Sequence, residues 1–528
     1  MDSLMRKSKY TFIDGKTGFS LNVAGMDFSD SDMENMSGKL VAAHKEMTRI
    51  EAGEIKNPDE NRKVTHFTDR SVYSGSTLFE EVEEFAEDVR KGKIRGSTGK
   101  KFESLVVNGI GGSALGPQLM QFSINGPYWN ELHLSKRNGY LKIYFLDNTD
   151  TAGIADLINA IDLETTLMAH ISKSGGTQET KNNMISLQKV YEKEKLDFSA
   201  HSCAITMKKS ALDDTARTDK WLKIFEMAES IGGRTSETSV VGHLPAALTG
   251  MNFKSFIDGA CWMDSLTRKS DFPKNPSYLL AVMWYIAGKG KGDRNMVIVP
   301  YSDRLILLSR YLQQLVMESI GKEKDLDGKI VNQGLNVFGN KGGTDAHAFI
   351  QQLNDGRDDF FVTFIEVLKD KMELPINGSI TMGDYLHAFL AGLAGALKGK
   401  KRQIINMTIT EVNEFNMGMI IALYERAVAV YAEFIHINAF HQPGVQSYKL
   451  VSKELVTLLT DVETKLSSIK GFTGLAPEIV TKMGFSDKTE DVEGILAKLA
   501  ENADLRSIPR CRLSREWNKD RGWVYSVA

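Results

Sequence analysis

Short apolar runs alternate with longer amphipathic stretches along most of this chain. That rhythm restricts it to a parallel α/β architecture, because each parallel strand needs a helical crossover before the next one. Leu105–Val107, Leu141–Leu146, Leu167–Ile171, Ser202–Met207 and Leu222–Met227 read as strands. A second series follows after about residue 270, with strands at Met296–Pro300, Phe360–Val367 and Ile404–Thr410. Helical patterns cover Arg304–Ile320, Met382–Leu397 and Val412–Ile437. Two α/β units are therefore expected, with a break near Ser270–Pro276, where charge, prolines and an asparagine interrupt the pattern. The expected division is a polar, helical N-terminal segment over 1–90, a first domain over 91–268, a second over 269–459 and a charged accessory segment over 460–528.

With 528 residues, 42% hydrophobic and 25% charged, the chain has material for two cores. Its 65 Lys and Arg nearly balance 68 Asp and Glu, so no global positive field favours nucleic acid and any anion site must be local. Small-molecule partners are expected. Cys203, Cys261 and Cys511 stand far apart, with no metal-ligand or redox spacing, which suits a reducing compartment and makes the cytoplasm the expected location. Met1–Thr11 is charged without an apolar core, and no apolar run approaches about 18 residues, so neither secretion nor a membrane partner is expected.

The turn after Leu167–Ile171 carries the most chemistry: Ser172, Lys173, Ser174, Gly175, Gly176, Thr177, Gln178, Glu179 and Thr180. Ahead of a helix, its hydroxyls, the free N–H groups and the positive end of the macrodipole would cradle a phosphate. The same residues also suit an ordinary strand-to-helix turn with a Ser or Thr cap. The first βα turn, Gly109 to Ala114, has the G-x-G-x-x-A spacing of a dinucleotide site. The next strand, however, ends at Asp147, well beyond the acidic ribose ligand expected about 20 residues on, which disfavours that cofactor. Its glycines would equally let a sugar pass close to the main chain, with Ser113 offering a hydroxyl, or make a plain tight turn. Gly334–Lys341 has the glycine interval of a P-loop, but Asn340 stands where lysine is required, so nucleotide hydrolysis is excluded. Gly232 and Gly233 precede Arg234, whose planar, permanently charged group suits a developing oxyanion, or a surface salt bridge.

In order along the chain, these segments resemble the phosphoglucose isomerase (glucose-6-phosphate isomerase) family. The resemblance runs through Gly109–Gly116, Ser172–Thr180, Gly232–Gly242, Gln314–Lys322, Gly343–Gln352 and Phe440–Lys449. Asp325–Asn332 and Gly334–Lys341 are similar to the branch found in cyanobacteria, plastids and chlamydia-like bacteria. The resemblance implies two sugar-isomerase (SIS) type three-layer αβα domains with parallel sheets, plus helical N- and C-terminal segments. It also implies reversible conversion of glucose 6-phosphate and fructose 6-phosphate, a proton moving between C2 and C1 through a cis-enediol, with no metal or organic cofactor.

By the same resemblance Glu318 is the base, at the end of an apolar helix pattern where burial suits a carboxylate to proton transfer. His347 would open the sugar ring and be supplied across a homodimer interface, and Lys449 would assist it. Arg234 would hold the enediolate. Gly112, Ser113, Ser172, Lys173, Ser174, Thr177 and Thr180 would bind phosphate or nearby hydroxyls, and Gln314 and Gln442 the sugar. Taken without the family, Glu318 is one solvated helix-end acid among many and His347 a packing residue. The chain departs from the family pattern at Gly176 (usually a hydroxyl residue), Thr235 (an aromatic), Glu237 (an aliphatic) and Gln446 (a glutamate). None removes a proposed catalytic group, but they bear on loop mobility and on specificity at C2. Two alternatives stay open: another SIS-fold isomerase, for mannose or amino-sugar phosphates, and a non-catalytic sugar-phosphate-binding regulator.

Overall fold

Residues 3–505 and 512–528 are described by the computed structural model, so Cys511 falls outside it. The first sheet has five parallel strands in the order Lys142–Leu146, Ser104–Asn108, Thr166–Ile171, Ser202–Thr206, Lys223–Glu226. Its three central strands are buried at every residue. Helices cover both faces of such a sheet, which is why these strands read as unbroken apolar or small-residue runs.

The second sheet has six strands, in the order Thr11–Ile13, Ser20–Asn22, Gln403–Ile409, Phe360–Val367, Asn295–Pro300, Val337–Phe338. The last four are parallel, and the N-terminal pair extends the edge antiparallel, with Asn22 opposite Asn406. The first 90 residues are thus mixed rather than wholly helical. The expected helix over Arg304–Ile320 is in three pieces: a 3-10 turn at Asp303–Leu305, an α-helix at Leu308–Leu312 and a wide π turn at Gln313–Glu318.

The largest apolar cluster is built around the helices Phe253–Thr267, Pro276–Ala287 and Glu414–Phe434. Glu414–Phe434 is apolar on nearly every side, the pattern of a helix with no face toward water. It meets Phe253–Thr267 backbone to backbone. A Cβ on Gly418 would lie 2.0 Å from the Phe256 carbonyl oxygen, and one on Gly259 would lie 1.9 Å from that of Phe415. Arg70 sits fully buried in this core between Asp264 at 2.7 Å and Glu425 at 2.8 Å. Removing one partner would strand a buried charge, a loss of about 3–5 kcal/mol.

The chain divides into two compact units, Met1–His441 and Gln442–Ala528. The division comes ahead of the expected boundary at 460 because the helix Pro443–Leu466 runs straight through it. The second unit adds the helices Ala476–Met483 and Thr489–Glu501 and an antiparallel sheet ordered Thr473–Leu475, Gly522–Val527, Leu513–Asn518. Val462, Ile479, Leu496 and Tyr525 fill its separate core. The unit thus sets two short helices across a turn ahead of a hairpin. The helix Thr489–Glu501 exposes Glu490, Asp491 and Glu501, charges of the wrong sign for a nucleic-acid groove. Among the described residues, no helix is long and apolar enough to cross a membrane.

Candidate active site

Ser104–Asn108 has Lys142–Leu146 on one side and Thr166–Ile171 on the other, so the strand order reverses there. Open α/β sheets bind ligands beyond the carboxyl ends of strands at such a reversal. The turns leaving the two strands are the glycine-rich Gly109–Gly116 and the hydroxyl-rich Ser172–Thr180. Asn108 and His170, at the strand ends, tie them together: the Asn108 amide lies 2.9 Å from His170 Nδ1 and donates to the Thr180 carbonyl at 2.9 Å. Burial lowers the His170 pKa to about 3, so the ring is neutral and its Nδ1 accepts that bond.

Thr177 precedes the helix Gln178–Lys193 in an extended conformation, and its hydroxyl does not cap the first N–H groups. It accepts instead from the Ser172 hydroxyl at 3.2 Å. Ser174 Oγ accepts from the Gly176 N–H at 3.2 Å, and the buried Thr180 hydroxyl has no partner among the described residues. Lys173 turns its amine onto the carbonyls of Glu229 and Ile231. Burial, reinforced by the Arg62 charge, lowers its pKa to about 8. The lysine thereby fastens the cradle to the loop that leads into Arg234.

Gly112 packs directly on that loop. A Cβ at Gly112 would come 1.8 Å from the Gly233 carbonyl oxygen, and the Ser236 hydroxyl donates to the Gly112 carbonyl at 3.3 Å. Ser113 beside it is half-buried. The Gln314 amide lies against Gly111, 3.0 Å from where a Cβ would be. Arg234 is buried, and its guanidinium is held by a carboxylate and two carbonyls. Nη1 stands 3.2 Å from Glu318 Oε1, while Nη2 donates to the Ala439 carbonyl at 2.7 Å and to that of His441 at 3.4 Å. Burial lowers the Arg234 pKa and the Glu318 carboxylate opposes the shift, so the group keeps its charge. Glu318 ends the π turn Gln313–Glu318, a form of helix found frequently at functional sites. Its side chain is 22% exposed, so the carboxylate is held on one side and open on the other.

Three residues to which sequence reasoning gave no role complete the neighbourhood. Lys322 is buried and donates to the carbonyls of Glu318 at 2.7 Å and Ser319 at 2.8 Å. Burial first and Arg234 second lower its pKa to about 7, against the pull of Glu318. Arg62 donates to the carbonyls of Ser230 at 3.1 Å and Phe440 at 3.0 Å, joining the loop before Arg234 to the segment its guanidinium reaches. Neither lies in a recognisable motif, although Lys322 closes the Gln314–Lys322 block. The third, Glu237, stood out only as a departure. It is 1% exposed and neither carboxyl oxygen finds a hydrogen bond among the described residues. Burial, then Glu425, raise its pKa well above the usual carboxylate range, so it is an uncharged acid.

The remaining expected residues are carried by other segments. His347 is exposed on the turn Thr344–His347, and among the described residues no hydrogen bond or ion pair joins it to Arg234 or Glu318. Asp345 holds that turn through the Asn340 N–H at 2.9 Å and its amide at 3.1 Å. Gln442 and Lys449 belong to the second unit, at the start and in the first turns of the helix Pro443–Leu466, where Lys449 is exposed. Among the described residues no group of three or more His, Cys, Asp and Glu is placed to hold a metal ion.

Residues 38–407 match the family model described as phosphoglucose isomerase. The chain is 43% identical over 513 residues to a glucose-6-phosphate isomerase of Geobacter sulfurreducens, covering 94% of this chain and 95% of that one. It is 43% identical over 498 residues to one of Nostoc punctiforme, covering 92% of each. Among solved structures, a glucose-6-phosphate isomerase from Chlamydia trachomatis superposes with a TM-score of 0.76 at 26% identity, over 86% of this chain and 91% of that one.

Proposed function

The chain belongs to the phosphoglucose isomerase family, and we infer that its reaction, the reversible interconversion of glucose 6-phosphate and fructose 6-phosphate, uses Glu318 to carry a proton between C2 and C1. The observation that carries this reading is the Arg234–Glu318 pair, 3.2 Å apart, with one side of the carboxylate still open. On the open-chain aldose, Glu318 takes the C2 proton. The electron pair left behind forms the C1–C2 double bond, and the C1 carbonyl electrons move onto its oxygen. The Arg234 guanidinium offsets the charge of that enediolate. O1 then takes up a proton as O2–H gives one up, and returning the C2 proton to C1 while the carbonyl re-forms at C2 gives the ketose, with atoms and electrons balanced.

The phosphate belongs in the Ser172–Thr180 turn, where Ser172, Ser174, Thr177 and Thr180 supply hydroxyls and the helix supplies N–H groups. Lys173 adds positive charge behind it, and Gly112 and Ser113 close the other wall. In the same reading Gln314 contacts the sugar, and His347 handles ring opening, supplied by a second copy of the chain. Its exposed position supports that assignment. So does the helix Met382–Gly399, which buries only Leu390 and Leu397 and leaves Met382, Tyr385 and Phe389 exposed, an apolar face suited to a homodimer. The two sheets support a first domain over 91–268, and a second that begins at 269 and closes with the compact unit at 441. Free Cys203 and Cys261 suit a cytoplasmic location.

The test is turnover of fructose 6-phosphate by the full chain beside Glu318→Gln. The variant is expected to lose about 100- to 10,000-fold in kcat, the range of a general base. Undiminished turnover in a folded variant would put the base elsewhere. A parallel panel of mannose and amino-sugar phosphates separates this reading from its nearest alternative.

A further inference from the structure

We propose that Lys322 is a positioning residue for proton transfer, its buried amine holding the end of the turn that carries Glu318 and so aiming the carboxylate at the reacting carbon. The proposal rests on the reading of Glu318 as the base. A helix end leaves carbonyls without partners, and here one cation takes two of them: Lys322 Nζ donates to Glu318 O at 2.7 Å and Ser319 O at 2.8 Å. The Gly321 N–H closes the same turn onto the Met317 carbonyl at 2.8 Å. The lysine is itself anchored, because its residue pairs with Gln333 in a two-stranded ribbon and the Gln333 amide donates to the Gly290 carbonyl at 3.0 Å.

An ammonium 4% exposed and close to the Arg234 guanidinium is a poor contributor to stability. The lowered pKa is consistent with that, and a charge kept at such a disadvantage beside a reacting group is characteristic of functional sites. Its position explains what it does. Glu318 is held at its head by Arg234 and at its backbone root by Lys322. Loss of the root would let the carboxylate swing while still paired with Arg234. Among the described residues the phosphate cradle makes no hydrogen bond to Lys322, so substrate binding should survive and the proton-transfer step should slow.

The experiment compares wild-type full chain, Lys322→Met, Lys322→Gln and Glu318→Gln for kcat, KM and the primary isotope effect with glucose 6-phosphate deuterated at C2. Lys322→Met is expected to lower kcat about tenfold or more, leave KM within about twofold and enlarge the isotope effect, since proton transfer becomes more rate-limiting. Lys322→Gln, which keeps one amide donor, should fall between. A folded Lys322→Met with wild-type kcat and isotope effect overturns the proposal. If the Met variant does not fold, the Gln variant decides by the same criteria; if neither folds, the lysine is structural and the proposal fails. An active Glu318→Gln would instead overturn the base assignment, whatever Lys322 does.

Discussion

Gly112→Ala tests whether the contact between the first glycine-rich turn and the Arg234 loop sets the catalytic geometry. The added Cβ would stand 1.8 Å from the Gly233 carbonyl oxygen and 2.2 Å from its carbon, whereas ordinary contact begins at 3.4 Å. Backbone meets backbone, so no side chain can swing away, and the loops must part by the difference, about 1.6 Å. Overpacking of that kind costs about 1–3 kcal/mol of stability, which a chain of this size survives folded. The larger effect is on rate. A misplacement of roughly 1 Å costs about 100-fold, or ~2.7 kcal/mol of barrier, when charged groups must be aimed. Arg234 would be carried off with its loop, because it follows Gly233 directly. Coupled assay of glucose 6-phosphate formation gives kcat/KM, with unfolding followed by circular dichroism. Gly233→Ala is the control, since its Cβ meets nothing within 4 Å and should change kcat/KM by no more than about twofold. A folded Gly112→Ala with wild-type kcat/KM would refute the reasoning. Equal losses in both variants would point to loop flexibility rather than the contact.

Mixing the folded but inactive Glu318→Gln and His347→Ala chains after joint dissociation should restore about a quarter of wild-type activity, because half the dimers would be mixed and each would hold one intact site of two. No recovery would place His347 in its own subunit's site or outside the chemistry. Arg234→Lys keeps the charge but cannot reach both the Glu318 carboxylate and the Ala439 carbonyl, so kcat should drop about 100- to 1000-fold with the far-ultraviolet spectrum unchanged. Glu237 has a folded-state pKa raised well above 4.5, so the folded protein holds a proton there that the unfolded chain releases as pH rises. Stability should therefore fall as pH climbs from about 4.5 toward that raised value, and Glu237→Gln should gain on wild type in urea melts at pH 8 relative to pH 5. A constant difference between the two pH values would show that Glu237 is ionised in the fold.

The parallel strands could be read from the chain because burial on both faces writes a continuous apolar run: Phe360–Val367 is the same segment in sequence and structure. Three elements left no such mark. Thr11–Ile13 and Ser20–Asn22 are three residues each, too short for a period of two, and the strand that Ser20–Asn22 joins, Gln403–Ile409, lies far along the chain. Val337–Phe338 is shorter still. The periodicity of Arg304–Ile320 announced a helix but not its π turn, which depends on packing rather than on propensity. Within the site, glycine and hydroxyl turns are visible because their residue types are unusual, whereas Lys322 reads as one more surface lysine until the fold buries it. Glu237 was visible only as an exception, and its protonated state follows from a core that sequence does not display. The helices and hairpin of residues 473–527 were hidden inside a charged tail because their apolar core is small and shared among short elements.

The docking of the first strands onto the last parallel one has a consequence during synthesis. Ser20–Asn22 pairs with residues 406–408, and Arg62 bonds to Phe440, 378 positions away. At about 5–20 residues per second, a ribosome needs roughly 20–80 s to travel from the first strands to their partner. Throughout that interval Thr11–Ile13 and Ser20–Asn22 have only each other, and an isolated hairpin is marginal in water. Phe19 and Leu21, fully buried in the finished sheet, must wait without a place to go. The strands of the first sheet, closed between residues 104 and 226, are all made much sooner. From the synthesis of residue 226 to that of residue 408 the nascent chain is thus a finished sheet trailing an apolar arm, and that arm is where a chaperone would have to act.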